Sequence, residues 1–287
     1  MTKRFIIGWL VVASALTSSV FAQQPTGALG RIKAAKAINV AYSADSLPFS
    51  FKGPDNQPAG YSIDLCKRVI AQIGRAVGEP DLKVNWIAGT TPQRLDMVAS
   101  GKADLECANT SQTLGRLANV DFSSLIFLDA GGVLLRSDSN VTKLADLSGK
   151  KIAVLKGTTT EARLRAALER QLVNATVVPI NDANEGIALV ESGSADAYAG
   201  DKIKLIGLIA QAKDPAKFRM PPEDLSFEPY AMALPRNDSA LRLEVNRALT
   251  QVYLGGEIGK IFNQWFGALG SPSGLLAAMY LLYSIPQ

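Results

Sequence analysis

Thr91-Pro92-Gln93-Arg94-Leu95-Asp96-Met97-Val98-Ala99-Ser100-Gly101-Lys102-Ala103-Asp104-Leu105-Glu106-Cys107 is the stretch that sets the architecture. Thr91 is placed to cap a helix whose first position is Pro92, where a missing N–H and a helical φ are no handicap. Gly101 stops that helix, and Ala103–Cys107 reads as a short buried strand. A helix that passes through a Ser-Gly stop into a strand is the joint of a layered α/β protein. The joint recurs at Leu189-Val190-Glu191-Ser192-Gly193-Ser194-Ala195-Asp196, another helix end, Ser-Gly stop and strand that begins Ala-Asp. One such match is weak evidence of repetition, but it suits two lobes of like topology.

Outward from this stretch the alternation continues. Ala37–Tyr42 is a β run, and Ser62–Val77 is a helix with Cys66, Ile70, Ile73 and Val77 on one face. Leu82–Ile87 is a strand. A second series begins near Asp146: strand Lys151–Leu155, a capping box Thr158-x-x-Glu161 opening a helix to about Gln171, strand Ala175–Ile180, helix Asn184–Glu191 and strand Ala195–Ala199. Two helices follow, Ser239–Leu254 and Glu257–Phe266. The long β-prone runs Ile126–Arg136 and Phe227–Pro235 flank the second series. They are expected to cross between lobes near Gly131–Leu135 and Tyr230–Leu234, making a hinge with a cleft beside it. Each lobe is expected to carry a sheet of its own. The apolar tail Leu275–Ile285 is too short to span a membrane and reads as an arm packed on a lobe.

Composition narrows the function. The chain has 287 residues, 47% hydrophobic and 20% charged, enough for one large or two ordinary domains. Lys3 and Arg4 precede an apolar run from Phe5 to Leu16, and Val20-Phe21-Ala22 supplies small residues for cleavage after Ala22. Residues 1–22 therefore read as a signal peptide, the run being too short for a comfortable membrane anchor. The net charge of +4 falls by two when Lys3 and Arg4 leave. With no basic stripe, there is no nucleic-acid footprint. The absence of histidine excludes Ser-His-Asp and Cys-His enzymes and removes the commonest metal ligand; no metal or cofactor is expected. Cys66 and Cys107 are a disulfide candidate in an exported chain, the other reading being two buried thiols.

Polar groups gather where strands run into helices, the places that line ligand crevices in α/β proteins. Arg94, in the first helical turn after Thr91, opposes the helix dipole and needs an anionic neighbour or solvent. Asn109-Thr110-Ser111-Gln112-Thr113-Leu114-Gly115-Arg116 concentrates amides, hydroxyls and a guanidinium, whose planar fork matches a carboxylate. Gly157-Thr158-Thr159-Thr160 opens a helix whose backbone N–H groups can hold an anion, though it is no P-loop. Asp201 closes a strand and suits an ammonium group. Each has a plainer reading: a surface arginine, a polar loop, a helix cap, a solvated turn aspartate. Arg116 and Asp201 together describe the two charged ends of an amino acid.

Leu47-Pro48-Phe49-Ser50-Phe51, Gly60-Tyr61-Ser62-Ile63-Asp64-Leu65, Ser100-Gly101-Lys102-Ala103-Asp104, Arg116, Asp121-Phe122-Ser123, Asp146-Leu147-Ser148-Gly149-Lys150-Lys151 and Gly157-Thr158-Thr159 carry a resemblance over nearly the whole mature chain. The chain resembles the polar-amino-acid-binding proteins of bacterial ABC importers, solute-binding protein family 3, with the type II periplasmic binding fold. Asp104-Leu105-Glu106-Cys107 and Thr90-Thr91-Pro92-Gln93-Arg94 look most like the glutamate/aspartate-binding branch. The resemblance implies lobe 1 over residues 28–132 and 231–287, and lobe 2 over residues 133–230. It implies Arg116 on the ligand carboxylate, aided by Asn109 and Ser111, with Thr158, Thr159, Thr160 and Asp201 supplying the second lobe and Asp201 taking the ammonium. Thr91, Arg94 and Ser43 face the ligand side chain. The position matching Ser43 carries a basic residue in typical members of that branch, and the one matching Ala183 a histidine, so the amino acid bound is left open.

The function implied is a periplasmic receptor, a monomer, that hands an amino acid to the permease subunits of an ABC transporter. Two alternatives are an enzyme on the same fold, resembling the cyclohexadienyl dehydratases, and a ligand-sensing partner of a membrane signalling protein. The first needs a positioned acid or base, for which Glu106, Glu228 or Asp201 would have to serve.

Overall fold

The computed structural model describes residues 27–286, so the signal peptide inferred for residues 1–22 lies outside the described part. The described chain opens on helix α1 (Gly27–Ala35), which buries Ala28, Leu29 and Ile32. Strand β1 (Ala37–Tyr42) follows, then three short antiparallel strands, β2 (Asp45–Ser46), β3 (Ser50–Lys52) and β4 (Pro58–Ala59). Helix α2 (Tyr61–Val77) buries Leu65, Cys66, Val69, Ile70, Ile73 and Val77, one stripe at helical spacing. It ends on Gly78, whose φ of 78° is left-handed.

Strand β5 (Lys83–Ala88), helix α3 (Thr91–Ala99), strand β6 (Leu105–Cys107), the single turn α4 (Leu114–Leu117) and the long strand β7 (Val120–Arg136) complete the first half. The cap of α3 lies one residue earlier than expected. Thr90 is the capping residue and Thr91 already helical, because the Gln93 side chain reaches back to accept from Thr90 N at 2.9 Å and Thr90 Oγ1 at 3.1 Å.

The second half runs β8 (Lys151–Leu155), α5 (Thr159–Arg170), β9 (Thr176–Ile180), α6 (Ala183–Glu191), β10 (Ala197–Asp201), α7 (Lys202–Gln211), β11 (Phe218–Arg219) and β12 (Ser226–Pro235). Thr158 caps α5, its hydroxyl accepting from Glu161 N at 3.1 Å while Glu161 accepts from Gly157 N at 2.8 Å. Helices α8 (Ser239–Leu254), α9 (Glu257–Phe266) and α10 (Gly274–Leu282) then return to the first half. The apolar tail is thus a helix that buries Leu276, Met279 and Tyr280 and leaves Leu275, Leu281 and Leu282 exposed. The Tyr280 and Tyr61 hydroxyls lie 2.8 Å apart.

The strands run β5-β1-β6-β12-β7-β10-β8-β9, with β11 beside β7. This corrects the expectation of a separate sheet in each lobe: the ladder is unbroken. β7 pairs with β12 from Val120 to Gly131 and with β10 from Gly131 to Leu135, so one strand belongs to both halves. The division into lobes lies in the packing. Ile38, Val40, Ile73, Phe127, Met232 and Phe266 join one core, while Val120, Phe122, Ala231 and Ala233 pack on the opposite face of the same strands. In the second lobe Ile152, Val154, Val133 and Leu135 point to one core and Ala153, Leu134 and Tyr198 to another, the period-2 alternation of a sheet covered on both faces.

Cys66 on α2 and Cys107 at the end of β6 are bonded, with 6.1 Å between their Cα atoms and a sequence separation of 41. The bond ties the helix layer of the first lobe to the strand that leads into the polar loop at Asn109. Loop-closure entropy for that separation amounts to about 3–4 kcal/mol. Replacing both cysteines by serine is expected to lower stability by about that much, read as the difference in denaturant unfolding from the oxidised parent; an unchanged midpoint would refute it.

Candidate functional site

The strand ends and helix starts converge on one cleft of about 650 Å³. Ser43, Thr91, Arg94, Asn109, Ser111, Arg116, Thr158, Thr159, Thr160 and Asp201 all line it. Ser43 leaves the end of β1, Arg94 lies in the first turn of α3, and Asn109 and Ser111 follow β6. Arg116 stands on α4, the threonines open α5, and Asp201 closes β10. Asp45, Asp182, Tyr198 and Lys204, none of them singled out from the sequence, line the same space. Lys204 stands on α7, and its place three residues after Asp201 is the signal the sequence carries for it.

Arg94 is 2% exposed. Its Nε donates to Glu106 Oε1 at 2.7 Å, Nη1 to Gly89 O at 2.8 Å, and Nη2 to Thr91 Oγ1 at 3.2 Å and Thr110 Oγ1 at 3.3 Å. Glu106, fully buried on β6, is the anion that a cation in the first turn of a helix requires. The pair holds α3 against β6 and fixes the wall of the cleft on which Thr91 stands.

Arg116 is held by its Nη1, which donates to Ser111 O at 2.7 Å. Burial pulls its guanidinium below the ordinary value, while the charges of Glu106, Glu228 and Asp201 oppose that loss. Asp201 is held from three directions. Its Oδ2 accepts from Tyr230 Oη at 2.7 Å and Asn109 Nδ2 at 3.0 Å, and its Oδ1 from Thr160 Oγ1 at 2.8 Å.

Behind the cleft, on the crossing strands, lies a cluster of acids. Glu228 Oε2 accepts from Thr159 Oγ1 at 2.8 Å and from Ser111 Oγ, thereby joining a loop of the first lobe to a helix start of the second. Burial and the charge of Asp201 push the Glu228 carboxyl up. Asp129 on β7 accepts from Tyr230 Oη at 3.2 Å and from Ile203 N at 3.3 Å. Burial first, then the Asp201 charge, raise its carboxyl from 3.8 to about 8. The lobes touch elsewhere too. A Cβ on Gly157 would meet Pro92 Cγ at 2.5 Å, and one on Gly207 would meet Leu47 O at 2.8 Å. Gly157 also has a φ of +74°, so glycine is required there for both backbone and space.

The family of bacterial extracellular solute-binding proteins, family 3, matches residues 38–268. The chain belongs to this family. Similar to it among curated proteins is the L-glutamate/L-aspartate-binding protein of Pseudomonas aeruginosa, 32% identical over 94% of this chain and 90% of the relative. Among solved structures, an ancestral arginine-binding protein bound to glutamine matches with a TM-score of 0.72 at 27% identity, over 81% of this chain and 98% of that one. An ancestral amino acid-binding protein, described as a precursor of cyclohexadienyl dehydratase, matches with a TM-score of 0.72 at 27% identity, over 84% of this chain and 100% of that one. The solute-binding family accounts for a two-lobed α/β fold with its cleft at the lobe boundary, and the relatives are named as binding proteins.

Two outcomes are expected from these contacts. Glu106→Ala strands a buried guanidinium and should lower stability by about 3–5 kcal/mol, measured by chemical denaturation; a loss under about 1 kcal/mol would mean that the pair behaves like a surface contact. Asp129, with a carboxyl raised from 3.8 unfolded to about 8 folded, binds its proton more tightly in the native state. Its contribution is fully present below pH 3.8 and is lost as pH rises to about 8. Asp129→Asn should therefore flatten the fall in stability between those limits, and an identical pH profile for parent and variant would overturn the assignment.

Proposed function

We propose that this solute-binding protein is a periplasmic receptor that captures an amino acid between two lobes and delivers it to the permease of an ABC importer. Residues 28–132 with 231–287 form one lobe on this reading, and residues 133–230 the other. The residues 1–22 direct export. The observation that carries it is the meeting of Arg116 and Asp201 at a single cleft, from α4 of one lobe and the end of β10 of the other. Arg116 takes the ligand carboxylate, with Asn109, Ser111 and the Thr158–Thr160 turn adding hydrogen bonds. Asp201 takes the ammonium. Ser43, Thr91 and Arg94 border the side chain. A ligand so held touches both lobes, and the closed state gains because only there are both partners offered. The importer and the amino acid as cargo are supported by what the relatives are named for, and a monomeric receptor needs no second copy to complete the cleft.

A receptor is favoured over an enzyme because the carboxylates available are already engaged. Asp201 accepts from three side chains, Glu106 is buried against Arg94, and Glu228 is bound by serine and threonine hydroxyls. Each of these three, which an enzyme on this fold would have to use, is tied to neighbours.

Arg116→Ala leaves a carboxylate in the cleft without its strongest partner, a truncation that costs about 2–5 kcal/mol, or roughly tens-fold to several thousand-fold in Kd. Asp201→Ala should do similar harm and shrink the ligand-induced change in scattering radius. Titration calorimetry against the amino acids checks both; an Arg116→Ala protein with full affinity for its best ligand would place the site elsewhere.

A further inference from the structure

The cleft carries further charges beside those of Arg116 and Asp201. Asp45, on β2, is held in place from several sides. Its Oδ1 accepts from Ser43 Oγ at 2.8 Å and Ser46 Oγ at 3.4 Å, and those two hydroxyls lie 2.8 Å from each other. Burial opposes its charge, yet the Lys204 charge and these hydrogen bonds hold it below the ordinary range, so it is an anion at neutral pH.

Lys204 comes from the opposite lobe, on α7. It is 6% exposed and lines the cleft. Among the described residues its ammonium makes no hydrogen bond and no ion pair. A lysine this buried is ordinarily paired. Asp45 is near enough for the charges to be felt but stands beyond direct contact. The two therefore line one cleft without pairing with each other, one an acceptor-only group and the other a donor-only group.

A ligand group that meets both needs an acceptor for Lys204 and a donor for Asp45. A carboxylate offers the first and is repelled by Asp45; an ammonium or guanidinium offers the second and is repelled by Lys204. A carboxamide offers both on one planar unit, its C=O toward Lys204 and its NH2 toward Asp45. Resting on the reading of Arg116 and Asp201 as the clamp for the amino-acid backbone, we propose that Asp45 and Lys204 form the specificity subsite of this receptor and select an amino acid with a carboxamide side chain. Asp45 already occupies the Ser43 and Ser46 hydroxyls that an incoming acidic side chain would seek, and so excludes it.

The test is titration calorimetry of the mature protein with glutamine, asparagine, glutamate and aspartate, and with the remaining amino acids as a control for the best ligand. The tightest ligand should be an amide, bound at least about ten-fold more tightly than its acidic counterpart, since unpaired polar groups in such a subsite discriminate strongly. Asp45→Asn, which keeps shape and removes charge, should shift the amide-to-acid ratio towards the acid by about ten-fold or more. Lys204→Gln should weaken amide binding while leaving the fold, followed by circular dichroism, intact. Wild-type protein that prefers glutamate or aspartate, or a best ligand lacking a carboxamide, overturns the proposal while the receptor reading stands. So does a folded Asp45→Asn protein with an unchanged ratio. If no amino acid binds the wild type, the receptor reading falls and the subsite with it. The wild-type ratio alone decides the matter should a variant fail to fold.

Discussion

The antiparallel ladder between β7 and β12 carries more of this structure than any other pairing. β7 sends Val120 and Phe122 into one core, Ile126 and Phe127 into a second, Val133 and Leu135 into a third and Leu134 into a fourth. Every packed layer thus takes side chains from one strand, and the alternation of a strand with both faces covered explains how it serves layers on opposite sides. The register slips at Tyr230–Ala231 and again before Ala233. Irregularities of this kind re-aim side chains next to functional sites, and here the Tyr230 hydroxyl reaches Asp201 and Asp129.

Because both halves hang from one ladder, their approach is governed by contacts at the cleft rather than by a shared core. Among the described residues, several of those contacts are polar or built on glycine. Asn109 bonds Asp201, Glu228 gathers Ser111 and Thr159, and Gly157 and Gly207 let backbone and ring come close. On the reading proposed, a ligand that adds charge pairs to both sides shifts the balance towards closure.

The charges of the cleft are sorted by what neutralises them. Arg94 and Glu106 satisfy each other inside the first lobe. The acids at the crossing strands are crowded, and burial together with the Asp201 charge raises the Asp129 and Glu228 carboxyls. Arg116, Lys156, Lys204, Asp45, Asp182 and Asp201 remain at the cleft, three of each sign, which suits a ligand that brings balanced charge of its own.

Much of this was legible from sequence, where the governing forces are local. Helix Ser239–Leu254, helix Glu257–Phe266 and strand Lys151–Leu155 lie where apolar period, caps and glycine stops put them. The residues picked from strand ends meet at one cleft because parallel strands with helical crossovers bring those ends to a common edge. Other features depended on what approaches from far along the chain. The cap of α3 moved to Thr90 because Gln93 folds back. Arg94 found its anion in Glu106 across a strand. The sheet runs unbroken because β7 is long enough to pair with partners in both halves. Lys204 and Asp45, on α7 and β2, became neighbours only when the lobes came together. Period and capping act within a few residues and are written in the order of the amino acids. The pairing of buried charges depends on which distant surfaces exclude water from between them, and only the tertiary structure decides that.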